Sequence, residues 1–502
     1  MAAKTSVKKS TASAPKTGAV AGASVRARMY RGGLGDCFLL TFPRPGASPF
    51  HMLIDCGVFF QSPNEKQRMR DIATDIKSAT KGTIDVLVGT HEHYDHLSGF
   101  KHARDIFASM SIKQVWLPWI DKPGEPRAAW LRAIENKLKQ GLQLALQQAR
   151  KDPALRARAL GLEQVLQFGG NPLAADYSEQ LGEVKRWLRE DLGATVQYLE
   201  PHGAAIELLP GVRVYALGPP IKETFFRRMN DSKTAPETYE AFSLFAVPGF
   251  AALPPAPGDR AVTVTDVEGL TQPFESRWHI DAAKAAAWRI PRRPDQNAKA
   301  PDLAFFGTRY GFKDDDGLAW RRIDNNWLAE AEALALQLDS LTNNSSLALA
   351  IEVGAARRVI LMAADAQVGN WLSWHEGTWS ATSSAGASIT VSAADLLGRT
   401  VLYKVGHHGS HNATLKQRGL EMMTSDELVA MIPVNEDFAT NVKGWAMPYP
   451  GLLTALTDRT KGRVIRLDAG LPAQAAVKAP VRKRFFEAAS ETALYCDYMV
   501  PM

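Results

Sequence analysis

The chain has 502 residues, 45% of them hydrophobic and 22% charged, which allows a sizeable core in one large domain or two to three ordinary ones. Its net charge of +6 does not describe a basic surface: Lys4, Lys8, Lys9, Lys16, Arg26, Arg28 and Arg31 stand in the first 31 residues without an acid, leaving 52 basic against 53 acidic residues in the rest. A uniformly basic nucleic-acid-binding body, a disulfide framework built on the scattered Cys37, Cys56 and Cys496, and a membrane-spanning chain are therefore not expected.

Residues 1–28, rich in Ala, Ser, Thr, Lys and Gly, read as a disordered basic tail, a plain solvated arm before a nucleic-acid or lipid contact. The tail lacks the apolar segment of an export signal, and the cytoplasm is the expected compartment. Two strands follow at 36–42 and 51–55. A helix over 66–79 then places Met69, Ile72 and Ile76 on one face, ahead of strands at 84–88 and 113–117. Residues 123–195 change character. Leu131, Ile134, Leu138, Leu142 and Leu146 form one apolar stripe and further helical patterns follow, so this reads as an inserted helical layer able to dock a protein partner. Strands resume at 205–209 and 212–217, and 221–300 reads as a second insertion or lid. After a helix over 327–341 come a hairpin at 347–352 and 358–362, a strand at 400–405, and late strands at 429–432 and 463–467 around a helix near 449–460. Strands and helices alternate in two batches, which predicts an α/β fold of two packed sheets with helices outside. Residues 29–485 form its body and 486–502 a C-terminal tail.

Thr90-His91-Glu92-His93-Tyr94-Asp95-His96 follows the apolar run 84–88, so three imidazoles and a carboxylate share one loop at a strand end. Imidazole nitrogen and carboxylate oxygen are the common ligands of zinc and related divalent ions. Asp365, His407 and His408 also follow predicted strands, and Asp55 ends another, placed to orient a ligand.

With these residues the chain resembles the metallo-β-lactamase-fold hydrolase superfamily, and within it the soluble hydrolase domain of ComEC-type competence factors. Gly33-Leu34-Gly35-Asp36, Leu53-Ile54-Asp55-Cys56-Gly57, the His91 loop, Asn343-Asn344-Ser345-Ser346, Ile360 to Ala366 and Lys404-Val405-Gly406-His407-His408-Gly409-Ser410 carry the likeness. It covers about 30–117 and 205–470. The resemblance implies a four-layer αββα sandwich with helical insertions, holding one or two zinc ions, with manganese as the alternative. His91 and His93 are assigned to one ion, and Asp95 and His96 to the second. Asp365 bridges them, and one of His407 and His408, with His407 slightly favoured, completes the second. Asp95, His96 and Lys404 take part in catalysis, and Lys404, Asn343 and Ser410 hold the anionic group of a substrate. The implied activity is hydrolysis by a metal-bound hydroxide, first of phosphate esters in a phosphorylated small molecule or nucleic acid. A carbonyl hydrolase acting on a lactone, thioester or β-lactam is the alternative, and a non-catalytic metal-binding interaction module is a third reading. The sequence departs from many superfamily members in lacking a motif histidine between the His91 loop and Asp365.

Overall fold

The computed structural model describes residues 22–150, 155–177, 179–228, 237–239, 282–289, 305–310, 326–382 and 386–502. These form a mixed α/β fold built on sheets of eight, seven and three strands. In the eight-stranded sheet the order is Ala489–Glu491, Tyr495–Pro501, Ser24–Tyr30, Phe38–Phe42, Phe50–Ile54, Thr83–Val88, Ser111–Pro118, Thr195–Leu199, with the last four strands mutually parallel. The seven-stranded sheet runs Val464–Arg466, Val429–Ile432, Thr400–Lys404, Arg358–Met362, Leu349–Val353, Val212–Ala216, Ile206–Leu209, and its first four strands are likewise parallel.

The apolar runs recognised in the sequence are these parallel strands, which are covered on both faces and so carry hydrophobic residues without interruption. Their side chains alternate between two cores. Val86 and Val88 from one sheet meet Ile360, Met362 and Leu402 from the other in a core between the sheets. Leu87 points the opposite way, into a cluster with Met69, Ile72 and Ile76 of helix Glu65–Ala79 and Leu97 of helix Tyr94–His102. Leu361 and Tyr403 likewise face a third core on the outside of the second sheet, with Trp371 and Leu452.

Two boundaries differ from the sequence reading. Residues 486–502 are not a tail: Tyr495–Pro501 pairs with Ser24–Tyr30 from Tyr495↔Tyr30 to Pro501↔Ser24. For the same reason the basic tail cannot extend to residue 28. Val25, Ala27 and Met29 enter the inter-sheet core, while Arg28 is buried between Asp497 and Asp75, 2.8 Å from each. The alternating arginines hid a strand. The disorder expected of residues 1–21 lies outside the described residues.

The 123–195 layer is helical, with Ala129–Ala149, Arg156–Leu166 and Gln180–Glu190. Gln180–Glu190 is part of the fold proper, since Leu181, Val184, Trp187 and Leu188 complete the core under the first sheet. The other two pack on helix Asn326–Asn344 through Leu138, Leu142, Leu162, Ala335 and Leu338. Most of 221–300, read as an insertion or lid, lies outside the described residues. No helix among the described residues is long and apolar enough to cross a membrane.

Candidate metal centre

The histidine loop leaves the C-terminal end of Thr83–Val88 and starts helix Tyr94–His102, whose first turn carries Asp95 and His96. Asp365 follows Arg358–Met362, and His407 and His408 follow Thr400–Lys404. The parallel halves of both sheets thus deliver their strand ends to one place, where open α/β sheets generally carry their sites. Asp55, Ala364, His407 and His408 all have left-handed backbone, with φ of 54°, 50°, 42° and 52°. Such strain in non-glycine residues is retained where the surroundings enforce a functional geometry. Gly57 explains the tightness of the loop: a Cβ there would lie 2.3 Å from the Asp95 carbonyl.

Four donor atoms converge. His96 Nε2 lies 3.0 Å from Asp365 Oδ2 and 3.9 Å from Asp95 Oδ2, and His408 Nε2 lies 2.7 Å from Asp95 Oδ2 and 3.9 Å from Asp365 Oδ2. Ligand atoms of all four residues fit within 4.8 Å of one another. The far side of each ring is committed. His96 Nδ1 donates to Asp55 Oδ2 at 2.7 Å, and His408 Nδ1 donates to the Pro433 carbonyl at 2.8 Å. These partners fix the tautomers with Nε2 turned inward, the arrangement that prepares imidazole for a metal. An inward lone pair facing a carboxylate is repulsive unless a proton or a cation lies between them. Burial opposes charge on His96, yet Asp365, Asp36, Asp55 and Asp95 hold its pKa well above the ordinary value. His408 is raised in the same way, against burial, by its hydrogen bond to Asp95 and by Asp365. Asp95 Oδ1, Asp365 Oδ2 and His96 Nε2 are buried with no hydrogen-bond partner among the described residues. A donor set of two imidazoles and two carboxylates with orphaned atoms fits a divalent cation.

Asp36, Asp55 and His96 form a second buried group. Its charge is met by protein: Lys404 Nζ lies 2.5 Å from Asp36 Oδ2, donates to Asp365 Oδ1 at 3.1 Å and to the Ala364 carbonyl at 2.6 Å.

His91 and His93 lie side by side, His91 Nε2 3.2 Å from His93 Nδ1, and neither joins a group of three or more convergent ligand atoms among the described residues. The Thr90 hydroxyl, itself bonded to Asp55 Oδ2 at 2.7 Å, lies 3.0 Å from His91 Nδ1. Burial keeps both rings neutral, with His91 well below its ordinary value and His93 down to about 4.

Four assignments change. His408, not His407, joins Asp95, His96 and Asp365, because the consecutive left-handed residues send the two rings apart. His407 instead donates its backbone N–H to Asp365 Oδ1 at 3.0 Å and leaves Nε2 buried and unpartnered. Lys404 is 1% exposed with all three protons used, so it cannot hold a substrate anion. Ser410 Oγ is engaged by His407 Nδ1 and Asn412 Oδ1, both at 3.0 Å. Asn343 donates Nδ2 to Asp339 Oδ2 at 3.0 Å, so its amide sits beside a carboxylate rather than in an anion site.

Two carboxylates carry roles that the sequence reading missed. Asp339, on helix Asn326–Asn344, lies 3.8 Å from His93 Nε2; burial, with Asp95 and Asp365 close by, pushes its pKa up to about 8. Its signal was a carboxylate set apart from Glu330 and Glu332 in the second half of an Ala- and Leu-rich helix and followed at i+4 by Asn343. Glu92 points away from the centre to Lys139 at 2.8 Å and Lys185 at 3.0 Å, tying the loop to the helical layer. Although burial opposes it, those lysines hold the Glu92 carboxyl well below the usual carboxylate range. Nearby Glu135 moves the other way: burial, against Lys139 and with Glu92 adding to it, pushes its carboxyl up to about 7. A raised carboxylate pKa means the folded state holds the proton better, so stability falls as pH rises from about 4.5 to about 7. Glu135→Gln should therefore raise the melting temperature by a few degrees at pH 8 and by much less at pH 5. An equal gain at both would show that the carboxyl titrates normally.

A small cavity of about 20 Å³ opens beside His93, lined by Phe168, Leu166, Val165 and Leu338 together with Glu92, Lys139 and Asp339. No protein-family model matches the chain, and no curated protein matches it.

Proposed function

We propose that the protein is a metal-dependent hydrolase of the metallo-β-lactamase-fold superfamily, acting first on phosphate esters. The observation that carries this reading is the meeting of His408 Nε2 with Asp95 Oδ2 at 2.7 Å across 313 positions of sequence, inside a group that includes His96 and Asp365. The helix-flanked pair of sheets, with the histidine loop at a strand end, supports the superfamily reading. Asp95, His96, Asp365 and His408 would hold one zinc or manganese ion, and His91 and His93 contribute to a second position. Bound divalent cations supply Lewis acidity that brings the pKa of water toward neutrality and balances charge developing on a substrate oxygen.

The chain's own groups do the rest. Asp55 and the Pro433 carbonyl hold the His96 and His408 rings in place. Asp95 Oδ1 is a buried acceptor without a hydrogen-bond partner among the described residues, placed to take a proton from attacking water. Lys404 favours the ionised forms of Asp36 and Asp365 from behind, against the burial that raises Asp36. At the mouth, Phe168 lies 5.3 Å from the His93 ring and 5.8 Å from the His407 ring, and stacks on Trp445 at 5.2 Å. Lys443 stands beside this pair, 4.7 Å over Phe59 and bonded to the Gln167 carbonyl oxygen at 2.6 Å, so its ammonium contacts an amide and aromatic faces rather than a carboxylate. It takes the place of Lys404 as the cation that favours an anionic substrate. Lys443→Ala is expected to raise KM for bis(4-nitrophenyl) phosphate about tenfold with kcat little changed, the loss of roughly 1.4 kcal/mol of uniform binding. An unchanged KM would remove Lys443 from substrate binding.

The second reading is a carbonyl hydrolase, for which Val165, Leu166, Phe168 and Leu338 beside His93 would give an apolar contact, with Glu92, Lys139 and Asp339 in the same lining. A panel of bis(4-nitrophenyl) phosphate, single- and double-stranded DNA, RNA, a lactone and nitrocefin separates the two, with Asp365→Ala as the control that must abolish any turnover. Phosphodiester cleavage is the expected result. Turnover of the lactone alone would favour the acyl reading, and metal binding without turnover would leave an interaction module.

A further inference from the structure

The rings of the centre follow one pattern. His91 Nδ1 lies 3.0 Å from the Thr90 hydroxyl, His96 Nδ1 2.7 Å from Asp55, His407 Nδ1 3.0 Å from Ser410 and His408 Nδ1 2.8 Å from the Pro433 carbonyl. Each of these rings has Nδ1 held by protein; Nε2 of His96 and His408 faces the centre, and that of His407 is buried without a hydrogen-bond partner among the described residues. His93 is the exception, and it is reversed: Nδ1 is the inward atom, 3.2 Å from His91 Nε2, so Nε2 must be the held one. The group facing Nε2 is Asp339 Oδ1, at 3.8 Å, with the two side chains only 5% and 11% exposed.

Asp339 is shaped for this task. Asn343, one turn later on the same helix, donates to Oδ2 at 3.0 Å and turns the carboxylate, while Oδ1 is buried with no hydrogen-bond partner among the described residues. Asp339, like His91 and His93 themselves, joins neither group of convergent ligand atoms among the described residues, and the atom it faces is His93 Nε2. We propose that Asp339 is the positioning residue of His93. Facing Nε2 across 3.8 Å, outside hydrogen-bond distance in this structure, its ionised carboxylate would close on the Nε2–H when a cation binds, fix the tautomer whose Nδ1 lone pair faces the position shared with His91, and so set the affinity of a second cation there. The inference rests on the reading of the centre as a two-cation site. It also gives the helical layer a function, since Asn326–Asn344 packs against Ala129–Ala149 and Arg156–Leu166 and would pass their placement to that cation.

The test is metal binding rather than turnover. The metal-free full-length protein is titrated with Zn²⁺ by calorimetry and with Co²⁺ by its visible absorption, alongside Asp339→Asn, Asp339→Glu and His93→Ala. The wild-type protein should take two equivalents. Asp339→Asn should keep one at wild-type affinity and bind the other about 10–100-fold more weakly, with an altered cobalt spectrum. Asp339→Glu should recover most of the loss, His93→Ala should weaken the same equivalent, and the melting temperature of the metal-free forms should stay together. Two equivalents of unchanged affinity in Asp339→Asn would overturn the inference while leaving the centre intact. So would a single wild-type equivalent that survives His93→Ala. A wild-type protein that binds no metal at all would instead overturn the reading of the centre itself.

Discussion

Lys404→Met is expected to destabilise the protein by about 3–5 kcal/mol, the cost of leaving buried charge unpaired. Methionine matches the length and apolar stem of lysine, so packing is nearly preserved and the loss isolates the ammonium. That group lies 2.5 Å from Asp36 Oδ2 and 3.1 Å from Asp365 Oδ1, and neither carboxylate residue is more than 2% exposed. Burial already raises the Asp36 pKa, with Lys404 the strongest influence holding it down, so removing the lysine drives Asp36 to take up a proton. A folded-state carboxyl pKa raised above its unfolded value favours folding at low pH and disfavours it as pH rises. The deficit of Lys404→Met should therefore be largest near pH 8 and shrink toward pH 5 in urea unfolding. Lys113 offers the contrast. It pairs with Asp85 at 2.6 Å, but its side chain is 52% exposed, so Lys113→Met should cost less than about 1 kcal/mol. A similarly small loss for Lys404→Met would mean that the Asp36 and Asp365 carboxyls do not both carry charge in the folded protein.

The contrast between these lysines also marks what the sequence could say. Strands such as Thr83–Val88 and Arg358–Met362 are legible because burial on both faces demands uninterrupted apolar residues, and that is a local property. The histidine loop is legible because its ligands are adjacent and follow such a strand. What depends on distant partners is not. Tyr495–Pro501 looked like a tail because Asp497 is acceptable in a strand only opposite Arg28, 469 positions away. Lys404 looked like an anion hook because nothing in its neighbourhood announces Asp36. The choice between His407 and His408 turned on two left-handed backbone residues, which no side-chain pattern encodes. Asp339 was hidden differently: a helix buried against other helices is apolar on most faces, so one inward carboxylate leaves no periodic trace.

Stripping divalent cations with a chelator should lower the melting temperature by several degrees at pH 8, and by less at pH 6. A ligand present at a thousand times its dissociation constant stabilises the folded state by about 4 kcal/mol. The centre gathers Asp36, Asp55, Asp95 and Asp365 around one permanent cation, Lys404, so an emptied site must find positive charge elsewhere. His96 and His408 are the source, since the surrounding carboxylates raise both above the ordinary histidine value of 6.5. A histidine raised in this way adds stability that is fully present below its unfolded pKa and is lost as pH rises through its folded one. Acid therefore rescues the stripped protein. A loaded form would gain nothing from it, because Nε2 of both rings would be given to the cation and binding would expel the protons. The difference in melting temperature between loaded and stripped protein should widen steadily from pH 6 to pH 8, and Asp365→Asn should narrow it at every pH. Equal melting temperatures with and without chelator at pH 8 would mean that protons alone, not metal, hold Asp95, His96, Asp365 and His408 together.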